Sequence, residues 1–313
     1  MRNRTIPLIV LAGSDRRPAE LPRKGRGKRP LWGSKGVAVK IGGRPLIDLL
    51  LERLRECGHF DPIYIGGPAA VYGELHGDVP VIDTDGSFGH NIQVTLETVE
   101  KEFPSSPIAL TTCDILPEVD ELRRSMADYF EHEPLDFWFS LILVPEDPQQ
   151  LGASAWKPQY GVVPEPGQQP IPTLPGHLIV VYPPAFRRSL LYRSFEMAYS
   201  SRNRSPVYRF WYILCSVVAI LVAEDLRRIL RLRPPTVSLT VIWNGIAIAH
   251  SLKAGTMVPE KTVERIRRVF GRRRHRRRFP ERNGRLALID ALSLAKDIDT
   301  EEEAEETGRG FGS

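Results

Sequence analysis

The chain has 313 residues, 42% hydrophobic and 26% charged, with a formal net charge of +5. This is an ordinary globular balance, enough for one large α/β domain or two smaller ones. Its three cysteines, Cys57, Cys113 and Cys215, are far apart and lack C-x-x-C spacing. That excludes a disulfide framework and a structural zinc site, and makes a reducing cytoplasm the expected compartment. The mild positive charge suits an anionic partner without choosing among a nucleotide, a nucleic acid and an acidic membrane.

Residues 6–11 form a short apolar run ending in Ala12-Gly13. It is too short for a signal sequence and reads as a buried strand. A long loop rich in Pro, Gly, Arg and Lys runs to about Gly36. Residues 37–41 read as a short strand or an extended piece, and Gly42-Gly43 as a turn. Pro45 reads as the first residue of a helix carrying Leu46, Ile47, Leu49, Leu50 and Leu54, which Gly58 ends. Strands are expected at 62–65, 79–82, 108–112 and 137–144, and helices at 91–103 and 117–130. That βαβα rhythm predicts a three-layer α/β/α domain with a mostly parallel central sheet.

Beyond Pro145 the Pro- and Gln-rich stretch reads as loops and edge hairpins, and 178–182 as a strand. Residues 184–200, 207–232 and 258–270 read as helices, and 237–249 as either state. The longest apolar run, 210–223, falls short of the ~20 residues that a spanning helix needs. It reads as a buried helix, with an interfacial helix as the alternative. Residues 271–278, nearly all Arg around His275, read as a solvated loop. The acidic, then Gly-rich 300–313 reads as a disordered tail. The expected division is a core of 1–200, a helical insertion of 201–280 in the C-terminal half, and a closing core element with its tail at 281–313.

A strand that ends in small residues and is followed by cations is a recurring phosphate-handling device. Small residues admit backbone N–H groups to the phosphate oxygens, and Arg or Lys neutralises their charge. Leu11, Ala12, Gly13 and Ser14, followed by Arg16 and Arg17, have that form. Neither the P-loop nor the G-x-G-x-x-G pattern is present. Gly33-Ser34-Lys35-Gly36 and Gly43-Arg44-Pro45-Leu46-Ile47 follow downstream.

This order resembles the nucleotidyltransferases of the GT-A-like α/β fold, especially the molybdenum-cofactor guanylyltransferase-like (MobA-like) group. There the first strand ends in L-A-G-G, followed by Arg, Lys-Gly and a G-[KR]-P-L-I helix entry. The resemblance implies that Arg16 or Arg17, together with Lys35, binds a triphosphate, beside Leu11, Ala12, Gly13 and Ser14. Ser14 replaces the usual second Gly, and the loop to Lys35 is longer than in most members, which leaves Lys40 or a loop lysine as alternative phosphate contacts. The family's Mg²⁺-binding Asp at the end of a central strand corresponds to Asp114, for which an N-cap role is the alternative. The closing D-x-D-T-P-E-D motif is matched in part by Asp297-Ile298-Asp299-Thr300-Glu301, making Asp299 the second metal ligand, or else a helix cap. Gly89 and Asn91 fall where relatives contact the base or ribose, and Asn91 also suits an N-cap. Lys157, in Trp156-Lys157-Pro158, and His177 are the acceptor-side candidates.

The implied activity is transfer of a nucleoside monophosphate from a nucleoside triphosphate to a phosphorylated small-molecule acceptor, with release of pyrophosphate and Mg²⁺ as cofactor. One alternative is a glycosyltransferase of the same fold, whose D-x-D motif has a spacing match at Asp83-Thr84-Asp85 but after an earlier strand. The other is a non-catalytic protein reaching a polyanion or membrane through 207–233 and 271–278. No specific nucleic-acid motif accompanies the arginines, and a peripheral membrane contact by a catalytic, otherwise cytoplasmic chain is compatible with the same segments.

Overall fold

Two short stretches of the sequence decide the sheet's centre. Leu8 and Val10 face one side of the first strand and Ile9 the other, and all are fully buried. A strand buried on both faces needs helices on both faces, so the alternation of strand and helix closes into three layers. The computed structural model describes residues 4–15, 21, 25, 27–73, 77–165, 167–200, 225–226, 230 and 237–310.

The strands are β1 (Ile6–Leu11), β2 (Lys40–Ile41), β3 (Arg44–Pro45), β4 (Phe60–Gly67), β5 (Val81–Asp83), β6 (Ile108–Thr112), β7 (Leu135–Leu143), β8 (Tyr160–Val162), β9 (Ile171–Val181) and β10 (Asn283–Ile289). The α-helices are α1 (Lys35–Ala38), α2 (Leu46–Cys57), α3 (Ala69–Tyr72), α4 (Phe88–Glu102), α5 (Val119–Glu131), α6 (Arg188–Ser200), α7 (Val237–Lys253), α8 (Pro259–Phe270), α9 (Arg273–Arg278) and α10 (Glu301–Gly310).

The central sheet runs β10-β7-β9-β6-β1-β4-β5, with β8 paired to β9. Every described pairing in this path is parallel except those of β9, which runs against β6, β7 and β8. The expected mostly parallel α/β/α sandwich is therefore the fold. On one face, Leu50 and Leu54 of α2 and Leu122 and Met126 of α5 pack over Leu8, Val10 and Trp138. On the other, Ile92, Leu96 and Val99 of α4 cover Ile9 and Leu110 beside Tyr192 of α6. Truncating one such leucine to Ala costs about 2–5 kcal/mol.

Several expectations are corrected. Residues 37–41 are not one strand. Lys35–Ala38 make a helical turn, and Lys40–Ile41 pair antiparallel with Arg44–Pro45. Gly42 and Gly43 both have positive φ, 57° and 82°, the requirement of a two-residue hairpin turn. Pro45 is the N-cap of α2 rather than its first residue, because it also belongs to that hairpin. Helix α4 starts at Phe88 behind Ser87, and α5 at Val119, so neither Asn91 nor Asp114 is an N-cap. Residues 237–253 are helical. The arginine run is helix α9 rather than a loop, pinned by buried His275, whose Nε2 lies 2.9 Å from Asp136. The tail is ordered as α10: Thr300 Oγ1 accepts from Glu303 N while Glu303 Oε2 accepts from Thr300 N, a capping box that starts the helix. The apolar run 210–223 lies outside the described residues, as do Cys215, Arg16 and Arg17.

Candidate functional site

The C-terminal ends of β1 and β6 lie side by side, in register from Leu8↔Ala109 to Leu11↔Thr112. Such an edge of an open α/β sheet is where ligands bind. It places the turn Ala12-Gly13-Ser14 next to Cys113-Asp114, with Cys113 N donating to Leu11 O at 3.1 Å. Gly13 is required by closeness: a Cβ there would lie 2.6 Å from Asn91 Nδ2. Asn91 is buried, and its Oδ1 accepts from Thr84 Oγ1 and Gly86 N, both at 2.8 Å. The turn it ties presents Asp85, which accepts from both the backbone N–H and the hydroxyl of Ser14. Ser14 thus locks the strand-end loop to the neighbouring one.

The long basic loop is closed at its base. Asp15 N donates to Gly33 O at 3.1 Å and Gly33 N to Asp15 O at 2.7 Å, so Lys35 follows Ser14-Asp15 in space despite the intervening residues. The loop's second half then runs beside the C-terminal segment. Leu31 N donates to Asp299 O at 2.8 Å, Glu301 N donates to Arg29 O at 3.0 Å, and the Arg29 guanidinium pairs with Glu301, Glu302 and Glu305. Arg29 of this loop therefore has acidic partners in the tail, and this pairing holds the closing segment that carries Asp299 beside Lys35.

The result is one charged cluster. Lys35 Nζ lies 2.6 Å from Asp299 Oδ1, 3.3 Å from Asp114 Oδ2 and 3.5 Å from Asp15 Oδ2. Lys40, the alternative, is exposed. Ile298 N donates to Asp114 O at 2.6 Å, which sews the closing segment onto the end of β6. Buried Ile298 anchors that segment, and Asp297 and Asp299 flank it. Carboxylate oxygens of Asp114, Asp297 and Asp299 all lie within 4.8 Å of one another. Lys157 Nζ binds Asp297 through its carboxylate and carbonyl, and stands 3.3 Å from Glu303. His177 bridges Asp297, 3.5 Å from Nε2, and Thr112 Oγ1, 3.2 Å from Nδ1.

Burial opposes the charge on Lys35, but Asp114, Asp299 and Asp15 outweigh it and raise its pKa. Lys157 and His177 are raised in the same way, chiefly by Asp297 against burial. Burial would raise Asp297, yet His177 and Lys157 hold it well below the carboxylate range. Asp299 is pushed up to about 6 by burial and by Asp297, with Lys35 acting against the shift. One atom stays unserved: Asp114 Oδ1 is buried without a hydrogen-bond partner among the described residues. An unpartnered carboxylate oxygen beside two further carboxylates is a hard, anionic oxygen set, the kind that Mg²⁺ takes together with phosphate and water. The residues therefore fit a divalent cation.

Of the sequence candidates, the fold brings Lys35, Asp114, Asp299, Lys157 and His177 into this cluster, with Leu11, Ala12, Gly13 and Ser14 at its edge. Gly89 is instead packed under α6: its N–H donates to Glu196 and a Cβ would lie 2.5 Å from Tyr192 O. Asp297 was legible only as the first Asp of the D-x-D, two residues before Asp299 and so on the same side of an extended segment. Asp15 carried no signal of its own. Asp83 and Asp85, the spacing match for a glycosyltransferase motif, are engaged by Ala69 N and by Ser14.

No family model matches the chain, and no curated protein is similar to it in sequence. Among solved structures, a hypothetical transferase from Thermus thermophilus is similar with 19% identity and a TM-score of 0.53, over 96% of this chain and 99% of that one. A CMP:2-keto-3-deoxy-manno-octonic acid synthetase complexed with CTP aligns at 10% identity and a TM-score of 0.47, over 99% of this chain and 98% of the other. A 4-diphosphocytidyl-2C-methyl-D-erythritol synthase from Anaerococcus prevotii aligns at 8% identity and 0.43, over 99% and 97%. The likeness to the Thermus structure spans both chains and shows a shared fold.

Proposed function

We propose that the chain is a Mg²⁺-dependent nucleotidyltransferase, joining a nucleoside monophosphate from a nucleoside triphosphate to a phosphorylated small-molecule acceptor and releasing pyrophosphate. The observation that carries this reading is the convergence of Asp114, Asp297 and Asp299 with Lys35 at the strand ends, with Asp114 Oδ1 left for a ligand. The MobA-like order of motifs around Gly13, Lys35 and Pro45 supports it.

The three carboxylates would hold the metal, which supplies charge neutralisation and orientation for the phosphate oxygens. In the turn Ala12-Gly13-Ser14 the Ala12 and Ser14 amides already donate to Gly66 O and Asp85, so the turn would meet a triphosphate through Gly13, and Lys35 Nζ would neutralise phosphate charge beside the cluster. Arg16 and Arg17 are assigned to the same triphosphate. Lys157, with His177 beside it on the other flank of Asp297, would face the acceptor phosphate. An acceptor phosphate oxygen attacks the α-phosphorus. The bond from that phosphorus to the bridging oxygen breaks, and pyrophosphate leaves with the electron pair. The nucleophile is already ionised, so no general base is required, and rate comes from positioning and charge stabilisation.

A screen of nucleoside triphosphates against phosphorylated acceptors tests this, with pyrophosphate as the readout. Metal-dependent pyrophosphate release with a coupled nucleoside diphosphate-linked product is expected. Release of a free nucleoside diphosphate from a nucleotide sugar would identify a glycosyltransferase instead.

A further inference from the structure

Five large hydrophobic side chains stand exposed among the described residues, and four of them, Leu226, Leu230, Trp243 and Ile246, fall in one stretch of the chain. Trp243 is 76% and Leu230 77% exposed. Scattered exposed apolar residues are ordinary, but a concentration of them marks a contact surface. Trp243 and Ile246 belong to α7, whose neighbour is α8. Val241 and Ile242 of α7 pack with Val269 and Phe270 of α8, and Arg265 Nη1 donates to Ala247 O. The two helices are therefore antiparallel, and the Trp243 end of α7 lies beside the end of α8 from which α9 continues.

That continuation is strongly basic. Arg272, Arg273, Arg274, Arg277 and Arg278 are exposed, and none is paired with a carboxylate among the described residues. Their backbone is fixed: Arg272 N donates to Ala185 O at 2.7 Å, Arg187 N to Phe270 O at 2.7 Å, and His275 is bound to Asp136. The arginines thus project from a rigid base at the end of α8 that packs beside the Trp243 end of α7. No described helix is long and apolar enough to cross a membrane. A polyanion such as RNA would use the arginines but not Ile246. A surface offering both anionic headgroups and an acyl boundary uses all of them.

We propose that this face, Trp243 and Ile246 of α7 with the exposed arginines around α9, seats the protein peripherally on an anionic phospholipid surface. The placement does not rest on the nucleotidyltransferase reading. Asp136, which anchors α9, stands at the start of β7, and Asp114 follows the end of parallel β6. At about 3.3 Å per residue, β6 keeps the two ends of the sheet roughly 17 Å apart. The contact is therefore an anchor at the end of the sheet remote from the acidic cluster, not a route that carries a lipid acceptor into it.

The test is flotation of the full chain with vesicles of phosphatidylcholine alone or mixed with phosphatidylserine, across a salt series. Flotation with the mixed vesicles only, weakening with salt, is expected, because each arginine near an anionic leaflet strengthens partitioning about fivefold and screening removes that gain. Arg273→Glu with Arg274→Glu, Arg277→Glu and Arg278→Glu should abolish flotation. Trp243→Ser with Ile246→Ser should weaken it severalfold and leave the circular dichroism melt unchanged, since both side chains are exposed. Absence of wild-type flotation, or equal flotation of the arginine variant, overturns the proposal. So does tight single-stranded RNA binding with flotation indifferent to Trp243→Ser, which would make the face a polyanion site.

Discussion

The two ends of the sheet each carry a buried charge cluster, and they are built to opposite balances. At the start of β7, Asp136 is ringed by His275 at 2.9 Å, Arg282 at 3.2 Å and Arg267 at 3.5 Å. There one carboxylate serves three side chains from different elements and is fully used. At the ends of β1 and β6, Asp15, Asp114, Asp297 and Asp299 meet Lys35, Lys157 and His177, and one oxygen of Asp114 has no hydrogen-bond partner among the described residues. At the β7 end, Arg267 Nε makes no hydrogen bond among the described residues, but both oxygens of the Asp136 carboxylate face cations, and the pairing ties three segments together. A cluster with surplus anion and a carboxylate oxygen left over is the one we propose as the ligand site.

Substitutions at the two ends should therefore separate activity from stability. Asp114→Asn is expected to lower pyrophosphate release by about 10²–10³-fold with little change in melting temperature, as for loss of a charge-stabilising group. An equal loss of folding would dissolve the distinction. Asp136→Ala should do the reverse and destabilise the chain by about 3–5 kcal/mol in urea unfolding, because it strands buried cations. Its turnover per folded molecule should remain near wild type. Arg29→Ala tests how the acidic end is assembled. It should loosen α10, speed proteolysis of the tail and reduce turnover through Asp299, with smaller effect than Asp114→Asn. The smallest change is expected at Asp128, which binds Trp138 two residues along β7 from Asp136. Burial would raise this carboxylate, but its bidentate pair with Arg285 at 2.6 and 2.8 Å and its bond from Trp138 Nε1 hold it low. A carboxylate lowered on folding contributes stability above its unfolded value near 3.9, and loses that contribution as pH falls through the folded value. Urea unfolding of Asp128→Asn at neutral and acid pH should show a deficit on the order of 1 kcal/mol at pH 7 that shrinks below pH 4.

Much of this was legible in the chain. Apolar runs of strand length, broken by Gly and Asp, placed β1, β6 and β7, and helical spacing placed α2 and α4, because these elements are buried and their patterns are set by burial. The residues at the strand ends were legible as motifs: Lys35, Asp114, Asp299, Lys157 and His177 were all singled out. What stayed hidden was pairing between distant segments. The acidic tail reads as disordered, with a capped terminal helix at Asp299-Thr300 as the alternative, until Arg29 is seen beside it. The arginine run reads as a loop until His275 is seen against Asp136. Gly89 reads as a ligand contact, but its lack of a side chain is used by Tyr192 and Glu196 of α6. In each case the partner lies far along the chain, where local composition carries no trace of it.

The claim that the acidic cluster is a metal–triphosphate site is tested most directly by Mn²⁺ titration followed by electron paramagnetic resonance, with and without each nucleoside triphosphate. Wild type should take up one Mn²⁺ per chain, more tightly with one triphosphate than with the others, and Asp114→Asn combined with Asp299→Asn should lose that binding. Uptake unchanged in the double variant, or absent from the wild type with every triphosphate, would contradict it.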